Sequence, residues 1–384
     1  MANDPITALV NGRVLVDGGL VDGRCVLIEN ERILAIVAAN DPRCAAAQKR
    51  DLGGKLLLPG FIDSQVNGGG GVLFNDAPSV EAIRAIGAAH RKFGTTGFLP
   101  TLISADLDVV AQAIEAVQAA LAAKVPGVLG IHIEGPFLNV ERKGIHDPDK
   151  FRELDTDAIK LLTALRGGRT LVTLAPEMTT PAMIRKLADA GVVVSAGHTN
   201  ATYEQIRLAL KGGLTGFTHL FNAMSQLTGR EPGVVGAALD DPDSWCGIIV
   251  DGEHTDPVVL RISMRCKRHD RFMLVTDAMP GVGTHNKSFL IGGRKITISG
   301  NLCLDDDGRL AGSNIDMASC VRNANSMLEL PLPEAVRMAS QYPAEFLGLA
   351  HELGRIAPGY KANLVLADEQ LQVLETWIDG QAAS

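Results

Sequence analysis

A chain of 384 residues, 46% hydrophobic and 21% charged, can bury a large core and is long for one compact domain. A formal net charge of −8 and the lack of a basic run argue against a nucleic-acid surface. Cys25, Cys44, Cys246, Cys266, Cys303 and Cys320 form no CxxC pair, and the N-terminus lacks a secretory pattern. With no apolar run of about 20 residues, the expectation is a cytoplasmic protein with reduced thiols and no membrane partner.

The first 60 residues read as short strands. ALVNGRVLVDGG and RCVLIENERILAIV alternate apolar positions around turn pairs such as Asn11-Gly12 and Gly18-Gly19. The last 30, GRIAPGYKANLVLADEQLQVLETWIDG, return to this style, so residues 1–58 and 352–384 are expected to pair into one small β domain. Pro59-Gly60 marks the entry to a different middle, residues 59–351.

From Phe61 on, apolar runs alternate with amphipathic segments. The runs at 61–65, 95–101, 128–134, 170–177, 192–198, 215–219, 246–252 and 272–277 are predicted strands. Helices are expected at Val80–Phe93, Leu107–Lys124, Pro181–Ala190, Tyr203–Leu210 and Asp256–Lys267. Eight such units predict an α/β fold, a TIM-like (β/α)8 barrel, with its chemistry at the carboxyl ends of the strands. Lys287–Leu310 alternates like an inserted hairpin, with turns at Gly292-Gly293 and Asp307-Gly308, and helices Met317–Leu328 and Pro333–Leu347 complete the wall.

Polar residues collect at the strand ends: Gln65, Asn67, Thr101, Glu134, Glu177, His198, His219, His254 and Asp277. Burying each without a partner would cost roughly 1–3 kcal/mol, so packing alone does not explain them. VVVSAGH and LTGFTH end in His198 and His219 on neighbouring strands, and IHIEGPF places Glu134 at the same rim. Two imidazoles and a carboxylate leave a position open, as in catalytic zinc sites. A divalent ion held there would lower the pKa of its water toward about 7.

Asp277, after the apolar FMLVT, can accept a proton from water and return it to a leaving amine; a turn or helix-capping aspartate is the bland alternative. His132 shares a strand face with Glu134 and is given no ligand role. Loop groups include His146 in KGIHDP, Arg230 in LTGREPG and His254 in VDGEH. Arg230 and His254 suit a phosphate or carboxylate substrate. GREPGVVGAA lacks the G-x-G-x-x-G spacing of a dinucleotide loop.

Taken together, PGFIDSQVNGGGG, GIHIEGPFLN with KGIH, SAGHTNA, THLFNAM, VDGEH, VTDAM and LAGS resemble the amidohydrolase superfamily. Within it they resemble the N-acetylglucosamine-6-phosphate deacetylases, in that family's order and over nearly the whole chain. The resemblance implies a barrel with a small β-sandwich from both termini. It implies hydrolysis of N-acetyl-D-glucosamine 6-phosphate to D-glucosamine 6-phosphate and acetate, in amino-sugar catabolism and cell-wall sugar recycling. By that pattern Glu134, His198 and His219 match metal ligands, Asp277 the acid/base, and His146 the group that polarises the acetyl carbonyl. His254, Arg230 and the Asn222–Ala223 backbone match phosphate contacts, and Leu310 opens the LAGS segment that closes over the sugar. The arginine can come from a neighbouring subunit, so a homodimer is expected.

One departure bears on the metal count. Many amidohydrolases carry His-x-His at the first strand, where this chain has Gln65-Val66-Asn67, and LVTLAPE offers no lysine for a carboxylated bridge. Amides are poor transition-metal ligands, which implies one divalent ion, zinc with iron or cobalt as alternatives. Gln65 and Asn67 would hold water or groups just outside the ligands. The alternative reading is a metal amidase for another N-acyl amino sugar or an N-acyl amino acid.

Overall fold

The computed structural model describes residues 6–383. The two ends of the chain share one mixed sheet. Its order runs Gln381–Ala383, Val373–Ile378, Leu364–Ala367, Leu56–Pro59, Thr7–Val16, Gly19–Glu29, Arg32–Ala38, with Gln48–Asp51 also on Thr7–Val16. Leu56–Pro59 is the seam, antiparallel to Leu364–Ala367 and parallel to Thr7–Val16. Successive residues serve opposite faces, as the strand period of two requires. Leu9, Val26 and Ile28 pack with Leu364 and Trp377, while Ala8, Cys25 and Leu27 pack with Cys44.

Gly60 joins this sheet to the barrel. A Cβ there would lie 2.0 Å from Thr96 Oγ1, so only glycine lets the chain pass that close to the second barrel strand. Eight parallel strands follow in sequential order: Phe61–Val66, Thr95–Ile103, Gly130–Glu134, Arg169–Leu174, Val193–Ala196, Gly216–Phe217, Trp245–Ile248 and Phe272–Leu274. A Val66–Ala278 bridge nearly closes the ring. Thr95–Ile103 is buried at every position, as expected of a strand covered on both faces. Helices start where side chains satisfy their free N–H groups: Ser79 Oγ accepts from Ala82 N, and Thr202 with Gln205 forms a capping box. No helix among the described residues is long and apolar enough to cross a membrane.

Three expectations change. The strands expected at 170–177, 192–198, 215–219, 246–252 and 272–277 stop at Leu174, Ala196, Phe217, Ile248 and Leu274. The polar residues beyond them lie in turns, where the backbone leaves the ladder and can swing a side chain over the rim. Pro333–Leu347 is two helices, Leu332–Ala339 and Gln341–Phe346. Pro343 lacks an N–H, and in a continuous helix its ring would strike the carbonyl of Ala339. The hairpin is a four-stranded antiparallel arm that extends to Ser313: Ser288–Ile291, Arg294–Ser299, Leu302–Asp305 and Leu310–Ser313.

Candidate active site

A cavity of about 320 Å³ opens at the carboxyl ends of the barrel strands. Asn67, Glu134, His146, His198, His219 and Asp277 line its inner wall. Asn222, Ala223, His254 and Leu310 line it further out. Gln65 is buried at its base, bonded to Glu134 and Asp277. Arg230 stands exposed and does not line the cavity of its own chain.

His198 and His219 each lie two residues past a strand end, and Asp277 three. All three have positive φ, 49°, 35° and 51°, a region that bulky residues rarely occupy. Strain of this kind persists where surrounding structure imposes it. Around His198 the imposing group is Glu177, which accepts from Asn139 Nδ2, Thr199 Oγ1 and Asn200 N at 2.9, 2.5 and 2.6 Å. Around Asp277 it is the arm: Ser313 N donates to the Asp277 carbonyl at 2.9 Å.

Glu134 Oε1 lies 3.2 Å from His198 Nε2 and 3.0 Å from His219 Nε2, and the two nitrogens are 3.1 Å apart. His198 Nδ1 is 2.8 Å from the Arg142 carbonyl, which can only accept, so Nδ1 carries a proton and Nε2 is the nitrogen that would offer a lone pair to a metal ion. A buried carboxylate and two imidazoles converging this closely form a donor set that fits one divalent ion with a position left open. Burial pushes the Glu134 carboxyl up, but hydrogen bonds and charge from His198 and His219 outweigh it and hold it well below the usual range. Burial alone would lower His219, yet its bond to Glu134 raises it.

Asp277 Oδ1 accepts from Asn67 Nδ2 at 2.7 Å and Gln65 Nε2 at 3.1 Å. Both amides engage the same oxygen, so Oδ2 is the one not committed to them. Gln65 Nε2 also faces both oxygens of Glu134, at 3.3 and 3.2 Å, and so lies between the two carboxylates. Burial first, then the charge of Glu134, pushes Asp277 up to about 6. Burial, then the neighbouring His198 ring, holds His146 well below the usual imidazole value and therefore neutral.

His132 sits beneath the cavity between Thr101 Oγ1 and Thr173 Oγ1, at 3.2 and 2.8 Å, and its two ring nitrogens are taken up by these threonines. His254 Nδ1 is held by Asp251 Oδ2 at 2.6 Å, which turns Nε2 away from that carboxylate. Sequence reasoning missed three groups. Arg142 and Arg309 also line the cavity, and Arg142 is fixed by Asn200 Oδ1 at 2.9 and 3.0 Å. Asp63, an aspartate inside the apolar strand GFIDS, accepts from Thr276 Oγ1 at 2.5 Å and joins the first strand to the turn after the eighth. Its position in that apolar run was the available signal.

Residues 56–383 match the amidohydrolase family. The chain is 45% identical over 325 residues to the N-acetylgalactosamine-6-phosphate deacetylase of Shewanella sp. (strain ANA-3), covering 85% of this chain and 82% of that one. It superposes on the N-acetylglucosamine-6-phosphate deacetylase of Pasteurella multocida with a TM-score of 0.95 at 36% identity, covering 99% and 100% of the two chains. A mutant of the Mycobacterium smegmatis deacetylase in complex with N-acetyl-D-glucosamine-6-phosphate gives a TM-score of 0.90 at 32% identity, with 99% of each chain covered. By its match, its barrel and its buried carboxylate–histidine cluster, the chain belongs to the amidohydrolase family, metal-dependent hydrolases.

Proposed function

We propose that this amide hydrolase removes the N-acetyl group of N-acetyl-D-glucosamine 6-phosphate, giving D-glucosamine 6-phosphate and acetate. The observation that carries the reading is Glu134, His198 and His219 converging at about 3 Å, with Asp277 held in the same cavity. Glu134, His198 and His219 would hold a single zinc ion, which would supply Lewis-acid activation of water and of the acetyl oxygen. Asp277 takes a proton from the attacking water at Oδ2 and returns it to the amine nitrogen, so no amide anion is expelled. His146 donates to the oxygen on which charge develops. His254 and the Asn222–Ala223 backbone bind the phosphate, and that remote binding energy positions the acetamide.

Arg230 completes the phosphate site from the second subunit of a homodimer, in keeping with its exposed position outside its own chain's cavity. The enzyme works in the cytoplasm, in amino-sugar catabolism and recycling. Residues 1–58 and 352–384 form its small domain and 59–351 its catalytic barrel. The 45% identity to an N-acetylgalactosamine-6-phosphate deacetylase favours one second reading, the galacto isomer as preferred substrate. Acetate release from both isomers, each with and without phosphate, tests the assignment. A kcat/KM indifferent to phosphate would refute it.

A further inference from the structure

We infer that Ser104 is a positioning residue that fixes His146 in the tautomer carrying its proton on Nε2, so that a neutral N–H faces the cavity. This rests on the amide-hydrolysis reading for its purpose, but not for its geometry.

Ser104 is the residue after the second barrel strand, which ends at Ile103. Its backbone N lies 3.3 Å from His146 Nδ1 and its Oγ 2.8 Å from the same nitrogen. A backbone N–H can only donate. His146 Nδ1 therefore presents a lone pair, and a neutral imidazole with Nδ1 accepting must carry its hydrogen on Nε2. The other tautomer would set an N–H against an N–H in a site where His146 is 2% exposed. His146 lines the cavity, and its Nε2 has no hydrogen-bond partner among the described residues.

Two features hold Ser104 in place. Asn75 grips both backbone groups of Ile103, Oδ1 accepting from its N at 3.0 Å and Nδ2 donating to its O at 2.9 Å. Gly135, the residue after Glu134, leaves room for the hydroxyl: a Cβ there would lie 2.3 Å from Ser104 Oγ, at a φ of +87°.

The neighbouring imidazole is set the opposite way. The His146 and His198 rings are 4.3 Å apart. His198 Nδ1 meets a carbonyl, that of Arg142, at 2.8 Å, and so keeps its proton on Nδ1 and a lone pair on Nε2. One backbone acceptor and one backbone donor thus give two adjacent histidines opposite roles, a ligand-type nitrogen and a hydrogen-bond donor. His146 stands outside the Glu134–His198–His219 cluster although its ring lies against His198. A donor already formed on Nε2 can bond the acetyl oxygen as it gains charge, with no proton rearrangement.

The test is long-range proton–nitrogen NMR on zinc-loaded protein labelled with 15N-histidine, using His146→Gln to assign the signals. The expected spectrum has a protonated Nε2 and an unprotonated Nδ1 for His146, and the reverse protonation pattern for His198 Nδ1. Ser104→Ala, which keeps the N–H but drops Oγ, should lower kcat by about ten-fold with KM within about two-fold, while the His146 proton stays on Nε2. Ser104→Thr should restore kcat. A protonated His146 Nδ1 in the wild type overturns the proposal, as does a His146 proton that moves to Nδ1 in Ser104→Ala or a Ser104→Ala kcat equal to wild type. The NMR readout needs no substrate, so it holds or fails separately from the deacetylase reading.

Discussion

Asn67 Nδ2 lies 2.7 Å from Asp277 Oδ1, joining residues 210 apart in sequence across the closure of the barrel. This bond and the one from Gln65 both engage Oδ1 and leave Oδ2 as the oxygen through which Asp277 would move a proton. A hydrogen bond to a charged group contributes about 1.5–3 kcal/mol. Asn67→Ala should therefore lower kcat by about 10- to 100-fold and leave KM within a few-fold, in steady-state kinetics on the phosphosugar. Asp277→Asn should lose the acid–base contribution, about 10²–10⁴-fold, yet still bind zinc in metal analysis of the purified protein.

The pH profile follows from the same carboxyl. Asp277 accepts a proton only when ionised, and burial raises its pKa from 3.8 to about 6. kcat/KM should therefore fall tenfold per unit on the acid side of a single limb. A nearby divalent cation favours the carboxylate and moves the limb down, so its midpoint belongs at or below about 6. Removing the Asn67 donor should move it up, because that bond favours the charged form. A wild-type midpoint above about 7 would contradict the assignment of Asp277 as the base.

Arg230 gives a test of subunit sharing. Arg230→Ala and Asp277→Asn should each be nearly inactive alone. Mixed after dissociation and reassociation, they should regain about a quarter of wild-type activity, since half the dimers are hybrids and each hybrid has one intact site. If Arg230 serves its own chain, the mixture stays inactive.

Chelation should remove activity and lower the melting temperature together. An ion present at about 100-fold over its Kd contributes about 2.7 kcal/mol to the folded state. Adding back one equivalent of zinc should restore both, and His219→Ala should make the melting temperature insensitive to zinc. Full activity after exhaustive chelation, with no metal remaining by elemental analysis, would exclude the Glu134–His198–His219 site from the reaction.

Much of this architecture was legible in the chain itself. Alternating periods gave the barrel, and the histidines closing VVVSAGH and LTGFTH, with Glu134, marked one rim. Less legible was how those residues reach the site. Periodicity carried the strands through His198 and His219, whereas the ladder ends two residues earlier and a left-handed turn aims each ring. Gln65 and Asn67 could be placed near Glu134, His198 and His219, but their bonds to Asp277 join the end of the first strand to the turn after the eighth, and no local pattern records that. Tautomers were hidden for the same reason. They depend on whether a carbonyl or an N–H from a distant loop meets the ring, as with Arg142 at His198 and Ser104 at His146. Arg230 stands exposed outside the cavity of its own chain, so its folded position does not repeat what its motif suggested.

The most direct test is acetate release from N-acetyl-D-glucosamine 6-phosphate and from its unphosphorylated form, with metal content measured on the same sample. The expected result is rapid release from the phosphosugar, a kcat/KM lower by about 100-fold or more without phosphate, and one divalent ion per chain. Equal rates on the two sugars, or turnover without stoichiometric metal, would contradict it.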